Sequence, residues 1–190
     1  MQPDVTDEQI VRRALADKEE FALLITRYER KLARYLERLG VPAREDREDI
    51  LQNAFIKAYR NLNSFDPELS FSSWMYRIVH NEAMSFFRAR RARPTVHYDE
   101  EGNTLLAEMK DDAADASAIS DLRLSSAELE KALAVLPARY RDVLLLRFFE
   151  DRSYTEMSDI LELPVGTIST LIHRAKRALR ESLSGRITYE

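Results

Sequence analysis

The chain contains no cysteine among its 190 residues. Disulfides, thiolate metal sites and a cysteine nucleophile are therefore excluded, which leaves carboxylates and three histidines as possible metal ligands. Only four glycines and six prolines are present, which is little material for the many turns of an all-β fold. A composition that is 45% hydrophobic and 33% charged instead predicts a helical protein.

Long apolar runs are also absent from this sequence. Nowhere do eighteen apolar residues follow one another, and no basic segment precedes an apolar stretch at the start of the chain. We therefore expect no membrane insertion and a cytoplasmic location.

Charge is distributed unevenly along the chain. Residues 1–94 carry a net charge of +2, residues 95–130 carry -8, and residues 131–190 carry +2. Because the acidic part shows no sustained apolar period, it predicts a flexible linker at 95–123 between domains at 1–94 and 124–190. The expected fold is all-α, with two small helical domains joined by this acidic linker.

Apolar residues recur at helical spacing through the first domain. They predict helix from Thr6 to Leu39, a second helix after the acidic segment at residues 44–49, and a third from Phe71 to just before Pro94. In the second domain, Ser125 with Glu128 forms a capping box, the pattern that typically opens a helix.

Residues 153–179, "SYTEMSDILELPVGTISTLIHRAKRAL", are typical of a helix-turn-helix. Ser153 and Glu156 form a second capping box, while Gly166 at positive φ and Thr167 as N-cap predict a tight turn. The free face of the second helix suits a major groove. Its polar residues are Ser169, Thr170, His173, Arg174, Lys176, Arg177 and Arg180. An ordinary helical hairpin with a solvated basic face is the alternative.

A stripe of polar and basic residues follows the helix that begins at Phe71. It comprises Arg77, Asn81, Arg88, Arg90 and Arg91, with Phe65, Phe71 and Trp74 nearby. Aromatic rings can stack on unpaired bases, guanidinium groups can hold phosphates, and an amide can read a base edge. The alternative is that the rings are core and the arginines a solvated helix end.

The two halves together resemble a sigma factor of the sigma-70 family, of the small extracytoplasmic-function group (group 4). "DILQNAFIKAYRNLNSF" and "FSSWMYRIVHNEA" are similar to region 2, and "LPARYRDVLLLRFFEDRSYTEMSDILELPVGTISTLIHRAKRAL" is similar to region 4. The resemblance covers nearly the whole chain. It implies a promoter-specificity subunit with no catalysis, cofactor or metal, which binds core RNA polymerase and promoter DNA and is held inactive by an anti-sigma factor.

The resemblance also implies roles for individual residues. The β′ clamp helices and the β subunit of core polymerase are both implied partners. Contacts with the β′ clamp helices fall to Asp49, Gln52, Asn53, Ile56 and Tyr59. Binding of the melted -10 element falls to Phe65, Phe71, Trp74, Arg77, Asn81, Arg88, Arg90 and Arg91. Binding of the -35 duplex falls to Thr167, Ser169, Thr170, His173, Arg174, Lys176 and Arg177.

One stretch departs from the family pattern. Where members usually carry a basic, a small polar and a second basic residue, this chain has Ser169, Thr170 and Leu171. Hydroxyl groups can still bond phosphates or base edges, so we expect DNA binding with an altered promoter preference.

Two other functions compete with this interpretation. A stand-alone helix-turn-helix regulator would bind duplex DNA without polymerase, but it has no need of base-stacking rings around Trp74. A helical di-metal enzyme would need Glu-x-x-His pairs, and neither His80, His97 nor His173 has an acidic residue three positions before it.

Overall fold

A computed structural model of the chain describes residues 5–66, 69–92 and 126–183. These residues form eight α-helices, with two short 3-10 helices at Lys18–Glu20 and Leu62–Ser64, so the predicted all-α fold is confirmed. The acidic linker at 95–123 lies outside the described residues. The helices are α1 Asp7–Ala16, α2 Phe21–Leu39, α3 Arg44–Arg60, α4 Phe71–Ala92, α5 Ser126–Ala134, α6 Ala138–Phe148, α7 Tyr154–Leu161 and α8 Val165–Leu183.

The predicted helical stretch from Thr6 to Leu39 is divided in two. Thr6 opens α1 with a capping box that it completes with Gln9. Asp17 then adopts an extended conformation, with φ -132° and ψ 114°, and ends α1. α2 ends where Gly40 takes φ 97°, a left-handed conformation that suits glycine because it lacks a Cβ.

The expectation that the next helix follows the acidic segment is wrong, because α3 begins at Arg44 and includes that segment. Glu45 and Asp46 lie in its first turn, where negative charge interacts favourably with the helix dipole. Arg44 also pairs with Glu48 one turn later, at 2.7 Å. The acidic residues therefore form the first turns of the helix instead of preceding it.

Helices α1–α4 make up the first unit of the chain and helices α5–α8 the second. In the second unit, α7 and α8 form the predicted helix-turn-helix. The capping box of Ser153 and Glu156 is confirmed, whereas Ser125 of the other predicted box lies outside the described residues. The roles expected of Gly166 and Thr167 in the turn are wrong. Glu162 takes the left-handed conformation, with φ 55°, and ends α7, so α8 can start at Val165. The first carbonyl of α8 to accept a helical bond is therefore that of Pro164, from Ile168 N–H at 3.0 Å.

The two units pack against each other. α4 contacts α7 and α2 contacts α6, and the buried side chains of both units form one continuous hydrophobic cluster. Tyr35 and Tyr76 from the first unit and Leu144 and Leu145 from the second are almost fully buried in it. The structure thus holds α7, the first helix of the helix-turn-helix, directly against α4.

Candidate nucleic-acid and polymerase interface

A solvent-open cleft of about 400 Å³ lies between the end of α3 and the middle of α4. Its walls combine one indole ring, one aliphatic side chain, two amides, a hydroxyl and a pair of opposite charges. Amides offer both donors and acceptors, and an indole offers a flat apolar surface. The lining residues are Lys57, Asn61, Ser64, Trp74, Ile78, Asn81 and Glu82.

Trp74 is half-buried and rests on two rings beneath it. The centroid of Phe65 lies 5.1 Å from that of Trp74, and the centroid of Phe71 lies 5.6 Å away. Phe71 also makes an edge contact with Tyr28 of α2 at 5.7 Å. The indole is therefore fixed in orientation at the cleft by a packed aromatic floor.

Phe65 and Phe71 were expected among the DNA-binding residues, and the structure corrects their placement. Their side chains are 6% and 1% exposed, because Phe71 packs on Tyr28 of α2 while Phe65 packs on Phe71 and Trp74. They cannot stack on a base from that position. Of the three rings, Trp74 is the one that reaches the cleft.

Several cleft residues were missed by the sequence interpretation. Lys57 and Asn61 come from the end of α3, and Lys57 pairs with Glu82 of α4 across the cleft. Lys57 and Asn61 are four positions apart and continue the face of α3 that carries Asn53. That helical spacing is the signal that could have identified them, once α3 was known to lie beside α4.

Basic residues extend from the cleft towards the end of α4. Arg77 is half-buried, while Asn81, Arg88, Arg90 and Arg91 are exposed. Arg88 donates a hydrogen bond to Ser85 Oγ at 3.0 Å, and the guanidinium of Arg90 lies 4.0 Å from Asp46. The stripe predicted from the sequence is therefore present on the surface, continuous with the cleft that contains Trp74.

The outer face of α3 combines polar and apolar side chains. All five predicted polymerase contacts are exposed on it: Asp49, Gln52, Asn53, Ile56 and Tyr59. Ile56 is 42% exposed, and Tyr59 is 36% exposed with its ring 5.3 Å from that of Phe21. Two large apolar side chains are therefore open to solvent on an otherwise polar helix face.

The α8 residues predicted to bind the -35 element differ in exposure. Thr170, His173 and Arg177 are exposed, whereas Thr167, Ser169, Arg174 and Lys176 are half-buried. Lys176 Nζ lies 5.6 Å from the ring centroid of Phe148 on α6. Leu171 packs against the hydrophobic core. Of these seven residues, the fully exposed ones therefore offer a hydroxyl, an imidazole and a guanidinium.

His80 is buried in the protein interior, where its side chain contacts Tyr35. Burial lowers the pKa of His80 to about 4, and Tyr35 Oη lies 3.0 Å from its Nδ1.

Across residues 5–66, 69–92 and 126–183, no three or more His, Asp or Glu side chains come together in a group that could hold a metal ion. In the same ranges, no helix is both long and apolar enough to cross a membrane.

Two family models match this chain. Sigma-70 region 2 matches residues 24–93, and Sigma-70, region 4 matches residues 126–179. The first match contains the cleft, the arginine stripe and the exposed face of α3. The second contains the helix-turn-helix.

Comparison with curated proteins gives relatives of nearly equal length. The chain is 36% identical over 173 residues to the ECF RNA polymerase sigma factor SigW of Bacillus subtilis, covering 88% of this chain and 90% of the relative. It is 32% identical over 193 residues to the ECF RNA polymerase sigma-E factor of Haemophilus influenzae, covering 96% and 98%.

Solved structures share the fold. CnrH, determined in complex with the cytosolic domain of CnrY, aligns with a TM-score of 0.68 at 25% identity, over 95% of this chain and 99% of that chain. The sigma factor RpoE of Bartonella quintana, in complex with the anti-sigma factor NepR, aligns with a TM-score of 0.65 at 22% identity, over 87% and 98%. With both family models and full-length relatives in agreement, this chain belongs to the ECF group of the sigma-70 family of RNA polymerase sigma factors.

Proposed function

We propose that this chain binds core RNA polymerase and directs transcription initiation at promoters, by recognising a -35 element as duplex and a -10 element as a melted strand. The observation that carries the proposal is the cleft of Trp74, which opens beside a basic stripe in the region 2 unit of a chain that also contains a helix-turn-helix. The protein has no catalysis of its own in this role and acts in the cytoplasm with the polymerase.

The cleft suits a single unpaired base. Its volume of about 400 Å³ accommodates a nucleobase, the indole of Trp74 supplies a stacking surface, and Asn61 and Asn81 supply amides for a base edge. Arg77 and Arg88 lie along the same helix, where guanidinium groups can hold the phosphates on either side of that base. A duplex keeps its bases stacked, so this arrangement favours a melted strand.

The helix-turn-helix suits duplex DNA. The exposed side chains of Thr170, His173 and Arg177 lie on successive turns of α8 and can enter a major groove together. Thr170 Oγ1 donates a hydrogen bond to the carbonyl of Gly166 at 3.0 Å, which leaves its lone pairs available to accept from a base.

The exposed face of α3 suits the polymerase itself. Ile56 and Tyr59 offer apolar contact area, and Asp49, Gln52 and Asn53 offer a polar margin one to two turns away. We propose an anti-sigma factor as a second partner, and one that covered this face would block polymerase binding.

The proposal is tested by reconstituting the chain with core polymerase and measuring run-off transcription on genomic fragments. Trp74 is the single tryptophan of the chain, so its fluorescence reports directly on the cleft. We expect a single-stranded -10 oligonucleotide to quench it, and Trp74→Ala to reduce open-complex formation more than Trp74→Tyr does. Promoter-independent activity with core polymerase, or Trp74→Ala and Trp74→Tyr behaving alike, would contradict the proposal.

Binding to promoter duplex in the absence of core polymerase distinguishes a sigma factor from a stand-alone regulator. Such a protein would bind promoter duplex tightly without core polymerase, whereas we expect the isolated chain to bind it poorly. The family match of region 2 and the full-length ECF relatives favour the sigma factor over this alternative.

A further inference from the structure

Glu82 places a carboxylate in the wall of the cleft that contains Trp74. Its side chain is 16% exposed and pairs with Lys57 Nζ across the cleft. A DNA strand is itself an anion, so a carboxylate at this place opposes its binding. Ion pairs with a solvent-exposed partner add little to stability, so folding alone gives no reason to place a negative charge there.

The two helices that form the cleft run antiparallel, which fixes the position of the pair. Asp46 in the first turn of α3 lies 4.0 Å from Arg90 in the last turn of α4. Lys57, in the last turn of α3, pairs with Glu82 in the middle of α4. Glu82 follows Trp74 by two helical turns, about 12 Å at 1.5 Å per residue. That distance exceeds the length of a nucleobase, so a base stacked on the indole leaves the pair facing the sugar-phosphate chain.

Lys57 is the partner that can reach this chain. Its side chain is 58% exposed, against 16% for Glu82. Lysine has a long, flexible stem and binds phosphate as a point charge. While its ammonium group is paired with the carboxylate, a DNA phosphate must compete with Glu82 for the same positive charge.

We propose that Glu82 limits the affinity of the cleft for single-stranded DNA, by holding Lys57 away from the phosphate chain. The proposal rests on the proposed function, because it concerns the same cleft. Phosphate contacts strengthen the binding of every sequence alike, whereas contacts with base edges distinguish sequences. With one phosphate contact withheld, a strand binds well only when its base adds contacts with Trp74 and with the amides of Asn61 and Asn81.

The test measures how salt affects the binding of a single strand to the holoenzyme, which is the full chain with core polymerase. Fluorescence anisotropy of labelled oligo(dT) gives the affinity at each salt concentration. Glu82→Gln keeps the shape of the side chain and removes its charge. We expect the salt slope to steepen by about 0.7, the value for one added phosphate contact on a single strand, which is about fivefold tighter binding at about 0.1 M salt if the affinities agree near 1 M.

Lys57 must mediate that change. Lys57→Met alone should keep the wild-type slope, because Glu82 already neutralises the lysine. Combining Lys57→Met with Glu82→Gln should return the steeper slope to the wild-type value. The -10 strand of an active promoter should gain affinity by the same factor as oligo(dT), because a phosphate contact carries no sequence information.

Two further variants serve as controls. Glu29→Gln removes one negative charge from an exposed position on α2 that does not line the cleft, and it should leave the slope unchanged. Glu82→Ala removes the carboxylate without leaving an amide that could still bond to Lys57, and it should steepen the slope as Glu82→Gln does. Urea denaturation confirms that each variant is folded.

An unchanged slope in both Glu82→Gln and Glu82→Ala, or a steeper slope that persists without Lys57, would overturn the proposal. A shallower slope in Lys57→Met alone would also overturn it, since the lysine would then hold a phosphate in the wild-type protein. A gain confined to the -10 strand would assign Glu82 to base reading instead. Promoter-dependent transcription stands in each of these cases, whereas strand binding no better than that of core polymerase alone would reject the proposed function itself.

Discussion

Asp142 on α6 should make the stability of the folded chain depend on pH. Its side chain is buried with 7% exposure, and Oδ1 accepts no hydrogen bond from the described residues. Burial raises the pKa of Asp142 from an ordinary value of 3.8 to about 7, with Arg141 acting in the opposite direction. Asp142→Asn keeps the shape of the side chain and cannot ionise, so it removes this pH dependence.

The direction in which stability changes with pH depends on whether the folded or the unfolded chain holds the Asp142 proton. Between pH 3.8 and about 7 the unfolded chain releases the Asp142 proton while the folded chain keeps it, so the free energy of unfolding falls as pH rises. The stabilisation is complete below the unfolded pKa and is lost as pH rises through the folded pKa. At about 1.4 kcal/mol per unit, the loss between pH 5 and pH 8 is about 3 kcal/mol.

His80 acts in the opposite direction, so the wild-type protein alone is a poor test. Because burial lowers the pKa of His80 to about 4, the folded chain keeps it neutral and stability is lost as pH falls from 6.5 towards 4. The two residues therefore offset each other over much of this range. Subtracting the free energy of unfolding of the wild-type protein from that of Asp142→Asn at each pH removes the contribution of His80 and of every other shared group.

The assay is urea denaturation of the wild-type protein and Asp142→Asn from pH 5 to pH 8. We expect the stability of the variant, relative to wild type, to improve by about 3 kcal/mol across this range, on the order set by the pKa shift. Asp151→Asn changes a fully exposed carboxylate in the next turn and serves as the control. A constant difference for Asp142→Asn, parallel to that of the control, would refute the reasoning.

Three further substitutions test other features. Gly40→Ala should destabilise the fold by about 1–2 kcal/mol, since φ 97° strains a residue with a Cβ; thermal unfolding at an unchanged temperature would contradict this. Ser153→Ala should cost about 1 kcal/mol by removing the cap of α7, whereas exposed Thr155→Ala, measured in the same urea titration, should cost less. Arg177→Ala should reduce the salt slope of holoenzyme binding to -35 duplex by about 1, and an unchanged slope would exclude a phosphate contact.

Apolar spacing was sufficient to predict the helices but not their ends. The periodicity around Tyr28, Tyr35 and Val79 placed α2 and α4 correctly, because burial of one face stabilises a helix more than any single local signal. The start of α8 was expected at Thr167, later than the observed Val165, because Gly166 was given the left-handed turn. Glu162 takes that conformation instead, and a glutamate there has no local sequence signal.

The candidate cleft could be predicted only in part. Trp74 and Asn81 share one helix, so their spacing was visible in the sequence. Lys57 and Asn61 complete the cleft from α3, and their position depends on how the two helices pack. The burial of Phe65 and Phe71 has the same origin, since the sequence does not show whether a phenyl ring faces the protein interior or solvent.

The structure gives a packing reason for the departure of α8 from the family pattern at Ser169 and Leu171. Leu171 packs against the core, so a basic residue at that position would have to displace buried apolar contacts before it could reach DNA. Ser169 is also half-buried. The absence of a basic residue at position 171 therefore agrees with the packing of α8. Under the proposed function, we expect base reading and phosphate contact to rely on the exposed Thr170, His173 and Arg177, which lie further along α8.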